Sequence, residues 1–283
     1  MKCPHRAFDV LQREPTKVAE LCTYTIDHGV VSTGGDNNSA GLGDSFKPSR
    51  NVHTVAKNVV VFDYDGTLFD TRPAIIHSIQ RVFAETGRPL PEIEAIAATV
   101  KTGIPLHDTL TALEQRLGSD QIALEELVGA YRKIYLAEAA PFLKPYLGVY
   151  QTLQKLHAGG TKNLIVSNKG IAAIHKSLNE SGLSSLVDMV FGDEPNLPKK
   201  PDPAILTKHI FPHYAGLQKD QMLVVGDTET DIRFAKAAGV ASCWASYGYG
   251  DPDRCGELGP DHVITTIEQL PALVRSGHSV HSA

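Results

Sequence analysis

Residues 58–67 read NVVVFDYDGT, and this stretch decides the fold. Its first five residues form a β-branched and aromatic run, which is typical of a strand buried on both faces of a parallel sheet. The run ends in two aspartates, Asp63 and Asp65, followed by Gly66. Functional groups of parallel α/β proteins gather beyond the carboxyl ends of the strands, so this ending marks a candidate site.

Strand and helix patterns alternate in the second half of the chain. The predicted strands are 163–167, 187–191, 222–226, 240–244 and 262–264. The predicted helices are 170–181, 202–212, 229–238 and 266–274. This alternation predicts a parallel sheet with helices on both faces.

A block of helical patterns interrupts the alternation directly after the first strand. Apolar spacing of three and four residues predicts helices over 73–86, 106–117, 120–138 and 146–157. We therefore predict an α/β fold with a Rossmann-like parallel-sheet core, into which a helical module is inserted. The predicted parts are an N-terminal extension (1–57), a core (58–71 and 146–275), a helical module (72–145) and a tail (276–283).

The extension is predicted to be partly flexible, because residues 33–51 are rich in Gly, Asn and Ser. Its function cannot be assigned from its sequence.

The composition restricts the class of protein and its partners. The chain has 283 residues, a formal net charge of -5 and four cysteines without CxxC spacing. The absence of a basic excess argues against a nucleic-acid partner. No stretch has the roughly 20 apolar residues that cross a bilayer, and the first residues lack the apolar centre of a signal peptide. We expect a cytoplasmic monomer or homodimer with no membrane partner.

Polar side chains follow several of the predicted strands. Ser167 and Asn168 end the second strand, Asp227 and Asp231 follow the strand at 222–226, and Lys199 and Lys200 precede the helix at 202. Crowded carboxylates need a counter-charge, and Mg²⁺ prefers oxygen ligands. A cation, a lysine and a nucleophilic carboxylate together are typical of phosphoryl transfer.

Four motifs carry a resemblance to a known family. They are DYDGTL at 63–68, Ser167-Asn168, KKPDP at 199–203 and GDTETD at 226–231. The motifs occur in this order along the chain, each at a predicted strand end or loop. Together they resemble the motif pattern of the haloacid dehalogenase superfamily of phosphatases. With the helical module, the chain is similar to the phosphoglycolate-phosphatase-like branch, in which the module is a small cap that closes over the site and selects the substrate.

The resemblance implies catalytic roles for the acidic residues. Asp63 would be the nucleophile that forms an aspartyl-phosphate, and Asp65 would protonate the leaving oxygen and then activate water. Mg²⁺ would be held by Asp63, the backbone carbonyl of Asp65 and Asp227, with Asp231 acting directly or through water. Asp231 is also open to a simpler interpretation, as an acid that stabilises the first turn of its helix.

The resemblance also implies a phosphate-binding set. Ser167 and Lys200 would hold the transferring phosphoryl group, and Lys200 is the lysine of the family's motif. Gly66 permits a sharp turn and a close backbone approach to phosphate. Thr67 and Asn168 are the other members of this predicted set.

The substrate is a small phosphate ester whose identity stays open. Lys101, Thr102, Gly103 and His107 resemble the family's substrate-specificity loop, in which Lys101 and His107 would face an anion such as phosphoglycolate. The same two side chains could equally face solvent. An apolar phosphate ester is the other possibility.

Two further functions remain as alternatives to a phosphatase. A sugar phosphomutase would use the same groups, and the sequence discriminates poorly between the two, because water exclusion depends on cap closure. Release of free phosphate without added sugar bisphosphate would distinguish a phosphatase. A catalytically silent binding protein is disfavoured, since it would have no physical reason to keep four buried or mutually repelling charges at Asp63, Asp65, Lys200 and Asp227. Asp65 also argues against a dehalogenase, whose leaving group needs no proton.

Overall fold

The structure is a computed structural model that describes residues 57–118 and 124–276. The predicted extension, apart from Lys57, and the predicted tail after 276 lie outside these residues. Within the described ranges, no helix combines the length and apolar character that a membrane span requires.

The described residues contain eight strands. They are β1 (Val59–Phe62), β2 (Phe69–Asp70), β3 (Lys144–Pro145), β4 (Lys162–Gly170), β5 (Met189–Asp193), β6 (Met222–Gly226), β7 (Ala241–Ala245) and β8 (His262–Ile264). Six form one sheet in the order β5-β4-β1-β6-β7-β8, and every neighbouring pair is parallel. The predicted parallel α/β fold is therefore confirmed.

Ten helices accompany the strands in the described ranges. They are α1 (Arg72–Glu85), α2 (Ile93–Val100), α3 (Leu106–Leu117), α4 (Leu124–Glu138), α5 (Val149–Ala158), α6 (Ile171–Glu180), α7 (Phe211–His213, preceded by a π-helical segment at Ile205–Ile210), α8 (Glu229–Ala238), α9 (Pro252–Glu257) and α10 (Leu270–Ser276). Residues 120–123, the start of the helix predicted over 120–138, lie outside the described residues.

Several elements differ from the predicted ones in their bounds or type, including the helix predicted over 202–212, which is π-helical over Ile205–Ile210. The helix predicted over 146–157 begins only at Val149, because Gly148 before it has a left-handed backbone conformation with a φ of 83°. The preceding residues Lys144–Pro145 pair with Phe69–Asp70 as a two-stranded antiparallel ribbon. The strand predicted over 163–167 continues to Gly170, where it pairs with Asp193 after a register shift. The short helices α2 and α9 were not predicted from the sequence.

The central strand β1 is buried on both sides, as its continuous apolar run predicts. Val60 and Phe62 pack in a core cluster on one face of the sheet, and Val59 and Val61 pack in the cluster on the other. Successive side chains of a strand point to opposite faces, so this one run supplies both layers of core. β1 is thereby fixed in the middle of the sheet, and its carboxyl end lies at the centre of the edge.

The helices α1–α4 form a helical insertion between β2 and β3. The pairing of Asp70 with Lys144 brings the start and the end of this insertion side by side. Its own core contains large, fully buried apolar side chains: Ile76, Ile79, Phe83, Ile96, Leu110, Leu113 and Leu127. An ion pair at 2.6 Å between Arg88 and Glu114, both almost fully buried, joins the loop after α1 to α3.

Candidate active site

The exit from β1 sets the position of the first acidic pair. The backbone N–H of Asp63 donates to the carbonyl of Val225 at 2.8 Å, which continues the ladder between β1 and β6 by one residue. Gly66 then turns the chain with a φ of 84°. A Cβ at this position would lie 2.2 Å from Oδ2 of Asp227, so glycine is required both by the backbone conformation and by the close approach of that carboxylate.

Three buried carboxylates converge beyond the ends of β1 and β6. Asp63, Asp227 and Asp231 each offer an oxygen, and these oxygens lie within 4.8 Å of one another. All three side chains are buried. Such a cluster of hard oxygen donors without a soft ligand suits a divalent cation of the Mg²⁺ type.

Lys200 lies between two of these acids. Its Nζ donates to Oδ1 of Asp63 and to Oδ1 of Asp231, each at 2.6 Å. Burial lowers the pKa of Lys200, but Coulombic attraction from Asp231 and Asp63 outweighs it and leaves the pKa above its usual value. Lys200 is therefore a permanent positive charge inside the acidic cluster.

The single positive charge of Lys200 does not balance the negative charges of three buried carboxylates. Burial raises the pKa of Asp63 to about 6, and the attraction of Lys200 only partly offsets the effects of burial and of Asp231 and Asp65. Burial, Asp63 and Asp231 also raise the pKa of Asp227 well above its usual value. The excess negative charge is what a bound divalent cation would neutralise.

Hydrogen bonds fix the orientation of Asp227. Its Oδ1 accepts from the hydroxyl of Thr67 at 2.9 Å, and its Oδ2 accepts from the backbone N–H of Tyr249 at 2.7 Å. Its backbone carbonyl accepts from the indole N–H of Trp244 at 3.0 Å. The Thr67 side chain is fully buried and donates to Asp227, and its role in phosphate binding stays a prediction.

Asp231 stabilises the start of its helix and also contacts Lys200. Its Oδ2 accepts from the backbone N–H of Thr228 at 3.0 Å and from the Thr228 hydroxyl at 2.8 Å, which caps the start of α8. Its Oδ1 accepts from Lys200. The helix cap therefore holds Asp231 in place against the lysine.

Asp65 points to a different partner from the other acids. Its Oδ1 accepts from Nζ of Lys169 at 2.9 Å. That ammonium also lies 4.1 Å from the ring centroid of Tyr135, which comes from α4. Burial lowers the pKa of Lys169, but attraction from Asp65 and its other neighbours leaves the pKa above its usual value. The Asp65 side chain is therefore not a member of the acidic cluster.

The motif at the end of β4 joins two parts of the site. Ser167 is buried and lines the same cavity as Asp63 and Lys200. The side-chain oxygen of Asn168 accepts from the backbone N–H of Lys200 at 2.9 Å, and its amide donates to the carbonyls of Lys200 (3.2 Å) and Gly103 (3.3 Å). Asn168 thus positions the Lys200 backbone and contacts the loop after α2.

The loop predicted to select substrate is only partly at the cavity. The carbonyl of Thr102 accepts from the hydroxyl of Thr230 at 3.0 Å, and Gly103 lines the cavity. Lys101 is exposed, and the ring of His107, 46% exposed, pairs with its neighbour Asp108. Neither Lys101 nor His107 lines the cavity.

The cavity lies between the sheet edge and the helical insertion. From the sheet side it is lined by Asp63, Asp65, Ser167, Asn168, Lys169, Lys200 and Asp231, among others. From the insertion it is lined by residues of α1, of the segment 100–109 and of α4. An ester placed here would have its phosphoryl end at the acids and its other end against the insertion.

Two residues of the site had no role predicted from the sequence. Lys169 directly follows the second motif, but no role was predicted for it. Tyr249 donates to Asp227 through its backbone, and its hydroxyl accepts from the N–H groups of Thr71 (2.6 Å) and Arg72 (2.9 Å) at the start of α1. Reading the residues that follow the predicted strand at 240–244 would have pointed to Tyr249, since they lie at the same sheet edge.

Comparisons with known proteins agree with the motifs and the fold. Residues 60–245 match the family model described as haloacid dehalogenase-like hydrolase. The chain is 34% identical over 215 residues to a phosphoglycolate phosphatase of Pseudomonas syringae pv. tomato, covering 75% of this chain and 78% of the relative. It is 33% identical over 222 residues to the pyrophosphatase PpaX of Halalkalibacterium halodurans, covering 77% and 96%.

A solved structure supports the same fold. The haloacid dehalogenase-like family protein of Streptococcus pneumoniae superposes with a TM-score of 0.65 at 22% sequence identity, covering 77% of this chain and 99% of that one. The fold, the ordered motifs and the family match are mutually consistent, and the resemblance inferred from the sequence is confirmed. The chain belongs to the haloacid dehalogenase-like hydrolase family.

Proposed function

We propose that this hydrolase is a Mg²⁺-dependent phosphomonoesterase that acts on a small phosphate ester through an aspartyl-phosphate on Asp63. The observation that carries the proposal is the position of Lys200, which donates to Asp63 and Asp231 within a cluster of three buried carboxylates. The names of the relatives, phosphoglycolate phosphatase and pyrophosphatase, support phosphate chemistry.

The acidic cluster fits a divalent cation in its donor set and its charge. Asp63, Asp227 and the backbone carbonyl of Asp65 would hold Mg²⁺, with Asp231 contributing directly or through water. The bound cation would neutralise charge on the transferring phosphoryl oxygens. Thr67 and Tyr249 keep the Asp227 carboxylate in a fixed orientation for this role.

The first step is attack on phosphorus. A carboxylate oxygen of Asp63 forms a bond to phosphorus while the bond to the ester oxygen breaks, and Asp65 gives a proton to that leaving oxygen. Lys200, Ser167, Asn168 and the Gly66 turn surround the phosphoryl group on the sheet side. The positive charge of Lys200 stabilises the negative charge on the phosphoryl oxygens in the transition state.

The second step regenerates the enzyme. Asp65 accepts a proton from water, whose oxygen attacks phosphorus and displaces the Asp63 carboxylate, so inorganic phosphate is released. Lys169 positions Asp65 for both proton transfers through the contact at 2.9 Å.

The helical insertion is proposed to be the cap. The contacts Asn168–Gly103 and Thr230–Thr102 join its loop to the sheet edge, and an ion pair at 2.6 Å joins Arg132 of α4 to Asp193 of β5. These contacts hold the insertion against the sheet edge, beside the part of the cavity proposed for the leaving group.

The test is phosphate release from a panel of phosphate esters by the full chain. We expect release that requires Mg²⁺, stops in excess EDTA and returns when Mg²⁺ is restored, without any added sugar bisphosphate. Full activity in excess EDTA would contradict the metal assignment. Absence of phosphate release, together with interconversion of sugar monophosphates that requires a sugar bisphosphate, would favour a mutase instead.

A further inference from the structure

We propose that the preferred substrate carries an uncharged, apolar leaving group rather than a carboxylate. This inference rests on the proposed phosphomonoesterase function, and it concerns the half of the cavity that the phosphoryl group does not occupy. The predicted substrate class differs from phosphoglycolate, the substrate in the name of the relatives called phosphoglycolate phosphatase.

The wall that faces the leaving group is apolar. The helical insertion lines the cavity mainly with aliphatic and aromatic side chains: Ile75, Val100, Ile104, Leu106, Tyr131 and Leu136. A carboxylate moved from water against such a wall loses hydration that apolar groups cannot replace, whereas an apolar group gains from burial. The wall therefore disfavours an anionic leaving group.

The cations that line the cavity already have partners. Lys200 contacts Asp63 and Asp231 at 2.6 Å, and Lys169 contacts Asp65 at 2.9 Å. Arg132 contacts Asp193 at 2.6 Å. Among the described residues that line the cavity, these are the three cationic side chains, so a substrate carboxylate would have to share a cation with a carboxylate of the protein.

Apart from Arg132, the polar side chains of the insertion wall are neutral. The hydroxyl of Thr109 donates to the carbonyl of Pro105 at 3.1 Å, within its own helix turn. The hydroxyl of Tyr135 is buried without a hydrogen-bond partner in the described part of the chain. A neutral hydroxyl can hydrogen-bond a substrate, but it does not supply the charge that a carboxylate needs in a buried site.

The loop that resembles the family's specificity loop gives no cation either. Lys101 is exposed and His107 is paired with Asp108, and neither lines the cavity. Besides Gly103, this segment adds Ile104 and Leu106 to the wall. The side chains that this segment contributes to the cavity wall are thus aliphatic.

The experiment compares two esters of similar size with the full chain and Mg²⁺. Isobutyl phosphate and 2-phosphoglycolate have the same heavy-atom skeleton in the leaving group, but only the second carries a carboxylate. We expect kcat/KM for isobutyl phosphate to be higher by at least about tenfold. The leaving group of 2-phosphoglycolate, which bears the carboxylate, is a less basic alkoxide than the leaving group of isobutyl phosphate. Intrinsic reactivity therefore favours 2-phosphoglycolate and works against this expectation.

A variant of the wall tests the cause of the preference. Ile104→Lys adds a cation at a residue that is 36% exposed, so the ammonium can stay partly hydrated. We expect the ratio of kcat/KM values to shift toward 2-phosphoglycolate by about tenfold. Leu147→Lys is the control, since Leu147 is 88% exposed and does not line the cavity.

The outcomes separate this inference from the proposed function. Turnover of both esters with equal or greater kcat/KM for 2-phosphoglycolate would overturn the inference alone. An unchanged ratio in a folded Ile104→Lys variant would also overturn it. Absence of phosphate release from both esters and from p-nitrophenyl phosphate, with Mg²⁺ present, would overturn the proposed function and this inference with it.

Discussion

Nζ of Lys200 lies 2.6 Å from Oδ1 of Asp63, and the two side chains are almost completely buried. The lysine comes from the loop before the π-helical segment, and the aspartate comes from the end of β1. Their contact brings the proposed nucleophile and the proposed phosphoryl-binding cation into one pair. Because the same ammonium also contacts Asp231, its removal leaves two buried acids without compensation.

Replacing this lysine by a neutral residue of similar length should affect stability and activity. We expect Lys200→Met to lower the free energy of unfolding by about 3 kcal/mol, since breaking a buried ion pair from one side leaves an unpaired charge. Urea unfolding in EDTA measures this. We also expect kcat/KM to fall by at least ~100-fold, because a positive charge at the phosphoryl group is lost.

The control for this change is Lys176→Met. Lys176 forms an ion pair with Glu180 four residues along α6, and both side chains are exposed. Such pairs contribute only about 0.5 kcal/mol. Equal unfolding free energies for Lys200→Met and Lys176→Met would contradict the assignment of Lys200 as the counter-charge of the cluster.

Much of the site follows from one rule about sheet edges. The sequence predicts strands that end at Asp63, Ser167 and Gly226, and parallel strands end at the same edge. The structure places Asp63, Asp227, Asp231 and Lys200 together there. Four short motifs, each adjacent to a recognisable strand or loop, therefore sufficed to predict which residues meet.

The contacts made by the helical insertion could not be predicted in the same way. Lys169 pairs with Asp65 beneath the ring of Tyr135, and that ring comes from a helix whose packing depends on the whole insertion. The antiparallel pairing of β2 with β3 involves only two residues on each strand, which is too short for a recognisable alternation. Side-chain partners across such distances are set by tertiary packing rather than by local pattern.

Lys169 should affect proton transfer rather than phosphate binding. Lys169→Met removes the group that holds Asp65 at 2.9 Å. We expect alkyl esters to lose about tenfold more kcat than p-nitrophenyl phosphate, because an alkoxide needs a proton in the transition state and a nitrophenolate does not. Equal losses for the two ester classes, with KM raised for both, would assign Lys169 to phosphate binding instead.

Asp65→Asn should separate the two chemical steps. The nucleophile remains, so p-nitrophenyl phosphate can still transfer its phosphoryl group, but the base for water attack is missing. We expect a burst of nitrophenol in rapid mixing, followed by slow turnover. Alkyl esters should show no burst, since their first step needs the proton. Identical loss for both ester classes without a burst would show that Asp65 is not the acid–base group.

Gly66→Ala should disrupt the acidic cluster specifically. The added Cβ would lie 2.2 Å from Oδ2 of Asp227, in addition to the strain of a φ of 84°. We expect kcat/KM to fall by at least ~100-fold, because a displaced carboxylate no longer fits its metal role. Isothermal titration with Mg²⁺ should show weaker binding.

Gly87→Ala is the matched control for this substitution. Gly87 has a φ of +69°, but a Cβ there would meet nothing within 4 Å. We expect it to cost about 1 kcal/mol of stability through backbone strain and to leave kcat unchanged. If the two variants lost activity equally, backbone strain rather than the contact with Asp227 would be the cause.

Phosphorylation of Asp63 is the most direct test of the proposed mechanism. The Asp65→Asn variant is mixed with p-nitrophenyl phosphate and Mg²⁺, quenched in acid during the slow phase and digested for peptide mass spectrometry. We predict one added phosphoryl group on the peptide that contains Asp63, and none when Asp63→Asn is introduced into the same variant. Turnover without a phosphorylated peptide, or a phosphoryl group on another residue, would contradict Asp63 as the nucleophile.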